Sequence, residues 1–171
     1  WSTASAGKAD IIRSYDAVAI DRHNENFVEI VRSQTNGRGV DHILDPIGGE
    51  HLKRSLSVLA QGGKLYTYGM SSAAPSSKRS LWKALRALRS RPRFDPMLMM
   101  SRNQGVFGVH MGTWNDEDVM QEQMQNILKG IKEGALTPII DSVYAAKDVA
   151  KAHQHIHDGK NIGKVLLKFV E

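Results

Sequence analysis

Short apolar runs of strand length alternate with helix-length segments along most of this chain, and that rhythm limits its fold more than any other feature. Asp16-Ala17-Val18-Ala19-Ile20 reads as a short strand, followed by Phe27, Val28, Ile30 and Val31 at helical spacing. Gly37 and Gly39 break the chain before a second strand, Val40 to Leu44, which stops at Asp45-Pro46. Leu52, Leu56 and Leu59 mark one face of a helix that Gly62-Gly63 ends, and Lys64 to Tyr68 is a third strand stopped by Gly69. Strands separated by helix-length stretches point to parallel βαβ units rather than hairpins.

Beyond Gly69 the pattern loosens. Ser71 to Ser77, rich in Ser, Ala and Pro, reads as a loop, and Leu81, Leu85 and Leu88 give the apolar stripe of a helix that ends before Pro92. A short helix is expected over Pro96 to Arg102 and a strand over Gly105 to His110. Asp116 to Lys132 is the strongest helix, with Asp116, Glu117 and Asp118 placed to favour its N-terminal dipole. Ile139 to Val143 reads as a strand, Ala145 to His157 as a helix and Ile162 to Phe169 as a closing strand. Right-handed crossovers assemble such units into an α/β, Rossmann-like, doubly wound and mostly parallel sheet with helices on both faces.

Composition narrows the function classes. At 171 residues the chain has the size of one domain. It contains no cysteine, which excludes a disulfide scaffold and any thiolate zinc site. Trp1 to Lys8 has no apolar core of a signal peptide, and no stretch approaches the roughly 18 apolar residues of a spanning helix, so the cytoplasm is the expected address. Ten of the 23 Lys and Arg residues fall between His51 and Phe94 with no acid among them, so the rest of the chain is net acidic. A basic segment of this kind, without interleaved aromatics along one surface, does not indicate nucleic acid.

One element of a dinucleotide fold is missing. A G-x-G-x-x-G turn after the first strand seats a pyrophosphate on a helix N-terminus, and no such turn occurs in this sequence. The chain opens instead on what reads as the end of a second strand. The expected sheet is therefore incomplete, lacking its first strand and glycine-rich turn. The absent strand would lie centrally, so the chain folds alone only if its neighbours re-pair.

Several motifs stand in a telling order: Thr3-Ala4-Ser5-Ala6, Asp45-Pro46-Ile47-Gly48-Gly49, Gly63 to Met70, Gly108-Val109-His110-Met111-Gly112, Ile140-Asp141-Ser142-Val143 and Lys160-Asn161-Ile162-Gly163-Lys164-Val165-Leu166-Leu167. Together they resemble the cofactor-domain portion of the medium-chain dehydrogenase/reductase superfamily, quinone oxidoreductase branch, in particular its synaptic vesicle membrane (vesicle amine transport) subgroup. The resemblance spans the whole chain. It implies that residues 1–171 are a truncated dinucleotide-binding domain of a zinc-type alcohol dehydrogenase-like reductase, with the substrate domain absent. It further implies an NADPH-dependent, metal-independent oxidoreductase that reduces quinones or activated alkenes by hydride transfer, acts on a small molecule and is inactive as this fragment alone.

The resemblance also places residues. Ser5 and Lys8 stand where similar reductases cradle a 2′-phosphate, with Arg22 near a position usually held by tyrosine, where its guanidinium can grip phosphate. Ser5 as an N-cap and Lys8 as a solvated first-turn residue is the competing reading. Asp45, Pro46 and Gly48 end a strand at the carboxyl edge, where ligands of open α/β folds sit, although a plain strand-to-helix turn accounts for them equally well. Tyr68, Gly69, Met70 and Ser71 match the nicotinamide pocket, with Phe107, Gly108 and Val109 after the next strand and Asn161 in an N-x-G-K signature. No catalytic residue is assigned. His110 is either a proton donor beside the hydride path or a satisfied strand-end histidine.

Two further features complete the reading. His153 and His157 share a helix face while His155 points away, so no metal site is expected. Arg79, Lys83 and Arg86 form a basic stripe in Lys78–Arg89, opposite Leu81, Leu85 and Leu88. That helix either caps the cleft or lies on an anionic membrane surface. A membrane- or lipid-interacting protein that keeps a reductase fold without catalysis is thus the alternative function. The strand Gly105 to His110 resembles the one that pairs across the family's dimer axis, which implies a homodimer.

Overall fold

The computed structural model describes residues 1–71, 89 and 92–169. The expected basic helix, apart from Arg89, lies outside the described residues, as does the loop after Ser71. The chain divides into two compact units, Trp1–Thr113 and Trp114–Glu171.

The first unit runs β1 (Ser2–Ala4), a 3-10 turn at Ala6–Lys8, α1 (Ala9–Arg13), β2 (Ala19–Asp21), α2 (Phe27–Gln34), β3 (Val40–Asp45), α3 (Gly49–Ser57), β4 (Leu59–Thr67), α4 (Pro96–Arg102) and β5 (Gly105–Gly108). Every strand pair is parallel: β1 with β2, β3 with β4, and β4 with β5. The α/β class and parallel pairing expected from the sequence are present, in separate sheets rather than one. Neither the β1–β2 pair nor the β3–β4–β5 sheet is hydrogen-bonded to the other: among the described residues no strand pairing joins the two sheets.

Several boundaries differ from the sequence reading. β5 stops at Gly108, the strand Ile140–Ala145 runs on to Ala145 so that the helix after it (Val149–His157) starts later, and the closing strand (Lys164–Lys168) opens at Lys164. The strand expected over Asp16 to Ile20 is confined to Ala19–Asp21, because Asp16 takes a left-handed φ of 53° and closes the turn after α1. The helix expected to include Leu59 stops at Ser57, so Leu59 opens β4. Gly62 and Gly63 do not end that helix. They lie in a bulged stretch of β4, where Val40 pairs with Leu59 but His42 with Lys64; Gly62, at φ 77°, supplies the left-handed backbone that the extra residues need.

The core explains which apolar residues the elements share. Asn26 caps α2 by accepting the Val28 amide at 3.2 Å. Helical spacing then brings Phe27 and Val31 inward against Ile20 and Val58. Leu52, Leu59 and Leu65 form a second cluster, with Ile43 packed on both. Ile43, Leu65 and Val106 stand side by side across β3, β4 and β5 and face α3. The alternate positions carry a ladder, His42 on Tyr66 and Tyr66 on Phe107, with ring centroids 6.3 and 5.3 Å apart. On that face Leu44 is 69% exposed.

The second unit holds α5 (Glu117–Lys132), β6 (Ile140–Ala145), α6 (Val149–His157) and β7 (Lys164–Lys168). Asp116 accepts the Val119 amide at 3.1 Å and so caps α5, as its acidic first turn foretells. β6 and β7 pair in parallel through α6, a single βαβ unit.

Candidate functional site

Parallel strands bring their C-terminal ends to one edge, and here β3, β4 and β5 bring three of the expected segments together. The Tyr68 amide donates to the Asp45 carbonyl at 3.2 Å and the Ser71 amide to the Pro46 carbonyl at 3.2 Å. The Val109 amide donates to the Thr67 carbonyl at 2.9 Å, which carries the register past β5. Asp45, Pro46 and Gly48, then Tyr68, Gly69, Met70 and Ser71, then Phe107, Gly108 and Val109, therefore line one carboxyl edge. Two glycines make the approach feasible. A Cβ on Gly69 would lie 2.6 Å from the Pro46 carbonyl oxygen, and Gly48 adopts φ 73° with its Cβ direction 3.3 Å from the Gly69 carbonyl oxygen. Gly108, by contrast, has nothing within 4 Å of where a Cβ would stand, so bare backbone faces open space.

Asp45 is turned inward. Its carboxylate is fully buried, with Oδ1 accepting the Ile47 and Gly48 amides at 2.8 and 2.9 Å. Oδ2 accepts the Ser55 hydroxyl at 2.8 Å and lies 3.0 Å from His51 Nδ1. Burial by itself would raise the pKa; the bonds from His51, the Gly48 amide, Ser55 and the Ile47 amide outweigh it and hold the group far below the usual carboxylate range. Any part Asp45 has in binding at this edge is thus played through the turn it holds. His51 stacks on Phe27 at 5.1 Å, and Arg54 sits 4.6 Å over the same ring while donating to Asn26 Oδ1 at 2.9 Å. Sequence reasoning missed His51 and Ser55. Their spacing of four on α3, just after a strand-ending Asp, was the available signal.

The C-terminal end of β1 and β2 carries another group. The Arg22 amide donates to the Ala4 carbonyl at 2.9 Å, which places Arg22 beside Ser5. Ser5 precedes the 3-10 turn and makes no side-chain capping bond, so its hydroxyl is not used as an N-cap. Lys8 ends that turn. Ser5 also lines a cleft of about 220 Å³ with Asp10, Arg13, Asp21 and Glu25. Arg13 pairs with Asp10 at 3.0 Å. The His23 backbone N–H, with the Asn24 side chain, holds the Asp21 pKa below its ordinary value.

Asn161 lies in the second unit, in the loop before β7, where its Nδ2 donates to the Gly163 carbonyl at 2.9 Å. His110 is exposed, and its Nδ1 lies 3.2 Å from Thr113 Oγ1. His155 is not idle on its helix: its Nε2 is 2.7 Å from Asp141 Oδ2, a contact across 14 residues that no local pattern announces. No helix among the described residues is long and apolar enough to cross a membrane.

A parallel α/β sheet with glycine-bearing turns at its carboxyl edge is an open α/β architecture whose ligands sit at that edge. The chain belongs to the zinc-binding dehydrogenase family, whose profile matches residues 15–167. It is 30% identical over 169 residues to the synaptic vesicle membrane protein VAT-1 homolog of Rattus norvegicus, covering 98% of this chain and 42% of that protein. It is 24% identical over 159 residues to the quinone oxidoreductase of Homo sapiens, covering 92% and 43%. Its fold matches the crystal structure of the JamJ enoyl reductase with a TM-score of 0.73 at 19% identity, covering 98% of this chain and 47% of that one. The chain spans less than half the length of each.

The family's description implies zinc, and the residues present do not fit it: the chain has no cysteine, and among the described residues no three His, Asp or Glu side chains gather as ligands. The family's description as a dehydrogenase points to a nicotinamide cofactor, and the backbone at Gly108 is open at this edge.

Proposed function

We propose that this chain is the cofactor-domain part of a longer two-domain reductase that uses NADPH, without a metal, to reduce quinones or activated alkenes. The observation that carries this reading is the shared carboxyl edge of β3, β4 and β5, where Gly48, Gly69 and Gly108 stand with their neighbouring turns in mutual contact. A bound nicotinamide supplies hydride there. The protein's part is to hold it: Asp45 fixes the Pro46–Gly48 turn, Tyr68 to Ser71 form the adjoining wall, and Phe107 to Val109 the far end. Ser5, Lys8 and Arg22 offer a hydroxyl and two cations for a ribose 2′-phosphate, and Arg13 neutralises Asp10 nearby. Orientation is the main device such a site has, since hydride transfer needs near-attack geometry more than an acid or base. β5 is the outer strand of its sheet, and a second copy pairing along it gives a homodimer.

Amide chemical shifts of the isotopically labelled chain, followed during NADPH and NADH titrations, test this reading. Shifts are expected at Gly48, Gly69, Ser71, Gly108 and Val109 with either cofactor, and at Ser5 to Lys8 and Arg22 with NADPH alone. Affinity should be weak, because the chain has no pyrophosphate turn. Unchanged spectra at millimolar NADPH, or shifts scattered away from these residues, overturn the proposal.

A further inference from the structure

Two strand-associated carboxylates in this protein are gripped in the same manner, one in each unit. Asp45 takes two backbone amides, a histidine and a serine. Asp141, on β6, takes the Ile162 amide on Oδ1 at 2.7 Å, the Ser142 hydroxyl on Oδ2 at 2.9 Å and His155 Nε2 on Oδ2 at 2.7 Å. The Asp141 and His155 side chains are 15% and 24% exposed, so water competes little for these bonds. The Ile162 amide, then His155 and Ser142, hold the Asp141 pKa below its ordinary value.

The geometry joins three segments through one group: β6 by Asp141 itself, α6 by His155 and the loop before β7 by Ile162. A carboxylate has only acceptor sites, so His155 donates from Nε2 and keeps its proton there. The loop has little other freedom. Gly163 takes φ 111°, where a side chain would strike the Ile139 carbonyl oxygen, and the Lys164 amide donates to that same carbonyl at 2.8 Å. Asn161 directly precedes Ile162 and Gly163, the residues held in this way. Its Nδ2 is occupied by the Gly163 carbonyl, while its Oδ1 has no hydrogen-bond partner among the described residues.

We propose that the Asp141–His155 pair is a positioning device for Asn161, setting the loop so that the free Oδ1 faces outward as an acceptor for an amide-bearing ligand. Asp141 and His155 act through Asn161 and touch no ligand themselves. The identity of that ligand rests on the reading of Asn161 as a contact of the nicotinamide cofactor.

The test compares wild type with His155→Phe, which removes the donor and keeps a ring, and His155→Gln, which restores an N–H donor. Amide hydrogen exchange at Ile162 should accelerate tenfold or more in His155→Phe and stay within about threefold of wild type in His155→Gln, with Leu166 in β7 unaffected in both. Acceleration that is equal at Ile162 and Leu166, or none at Ile162, overturns the positioning role. NADPH at millimolar concentration should shift the Asn161 side-chain amide resonance in wild type and His155→Gln but not in His155→Phe. If the exchange pattern holds and NADPH leaves that resonance unmoved in wild type, the positioning of the loop stands and the cofactor contact is overturned.

Discussion

Replacing Asp45 by Asn changes the charge on one fully buried group and little else, so its consequences follow from the four bonds it accepts. Hydrogen bonds to a charged group are worth about 1.5–3 kcal/mol each, against about 0.5–1.5 for neutral ones. The amide oxygen of Asn can keep the Ile47 and Gly48 bonds at neutral strength. Its NH2 group, however, would face the Ser55 hydroxyl and His51 Nδ1. Ser55 can rotate to accept and His51 can move its proton to Nε2, which limits the loss. The expected cost is about 3 kcal/mol at pH 7. That corresponds to a fall in melting temperature of roughly 6–12 °C for a chain of this size, and a urea midpoint lower by about 1.5 M at an m-value near 2 kcal/mol/M.

The pH dependence separates the charge from the shape of the side chain. The folded-state pKa of Asp45 lies far below the unfolded value of about 4, so its stabilisation is fully present above that value. It is lost as pH falls from there towards the folded-state pKa. The gap between wild type and Asp45→Asn is therefore expected to stay constant from pH 7 to about pH 5 and to narrow at pH 3. Urea melts at pH 7, 5 and 3 measure it. A gap under about 0.5 kcal/mol at pH 7, below the worth of one neutral bond, or one that widens on acidification, refutes the reasoning.

Three other outcomes follow from the packing. Leu65→Ala, at a residue with no exposed surface, should cost about 2–5 kcal/mol in urea unfolding, the range for deleting a buried leucine. Gly69→Ala drives a methyl group into the Pro46 carbonyl and should cost about 1–3 kcal/mol, with amide shifts spreading from Asp45 to Ser71. Lys53→Ala removes an exposed pair with Glu50 at 2.9 Å and should leave the melting temperature unchanged, which makes it the control for the buried substitutions.

The sequence by itself determined the order of the elements and the edge at which the chain presents its turns. Sequence pattern places α2, β3, α4 and α5, and in the folded chain each is bounded by a cap or breaker: Asn26, Asp45-Pro46, Asp95 beside Pro96, and Asp116. It also placed Asp45, Gly69 and Gly108 together, since parallel strands necessarily end on one side. Local pattern failed where a choice depended on a distant partner. Leu59 fits the helical stripe of Leu52 and Leu56, yet pairing with Val40 makes it the first residue of β4. The inward turn of Asp45 depends on His51 and Ser55 reaching it from α3. The Asp141–His155 contact spans 14 residues and joins a strand to a helix. Periodicity reports which face of an element is apolar, but a buried charge is stabilised only by the particular donors that tertiary packing brings within about 3 Å, so those contacts were decided by the folded structure alone.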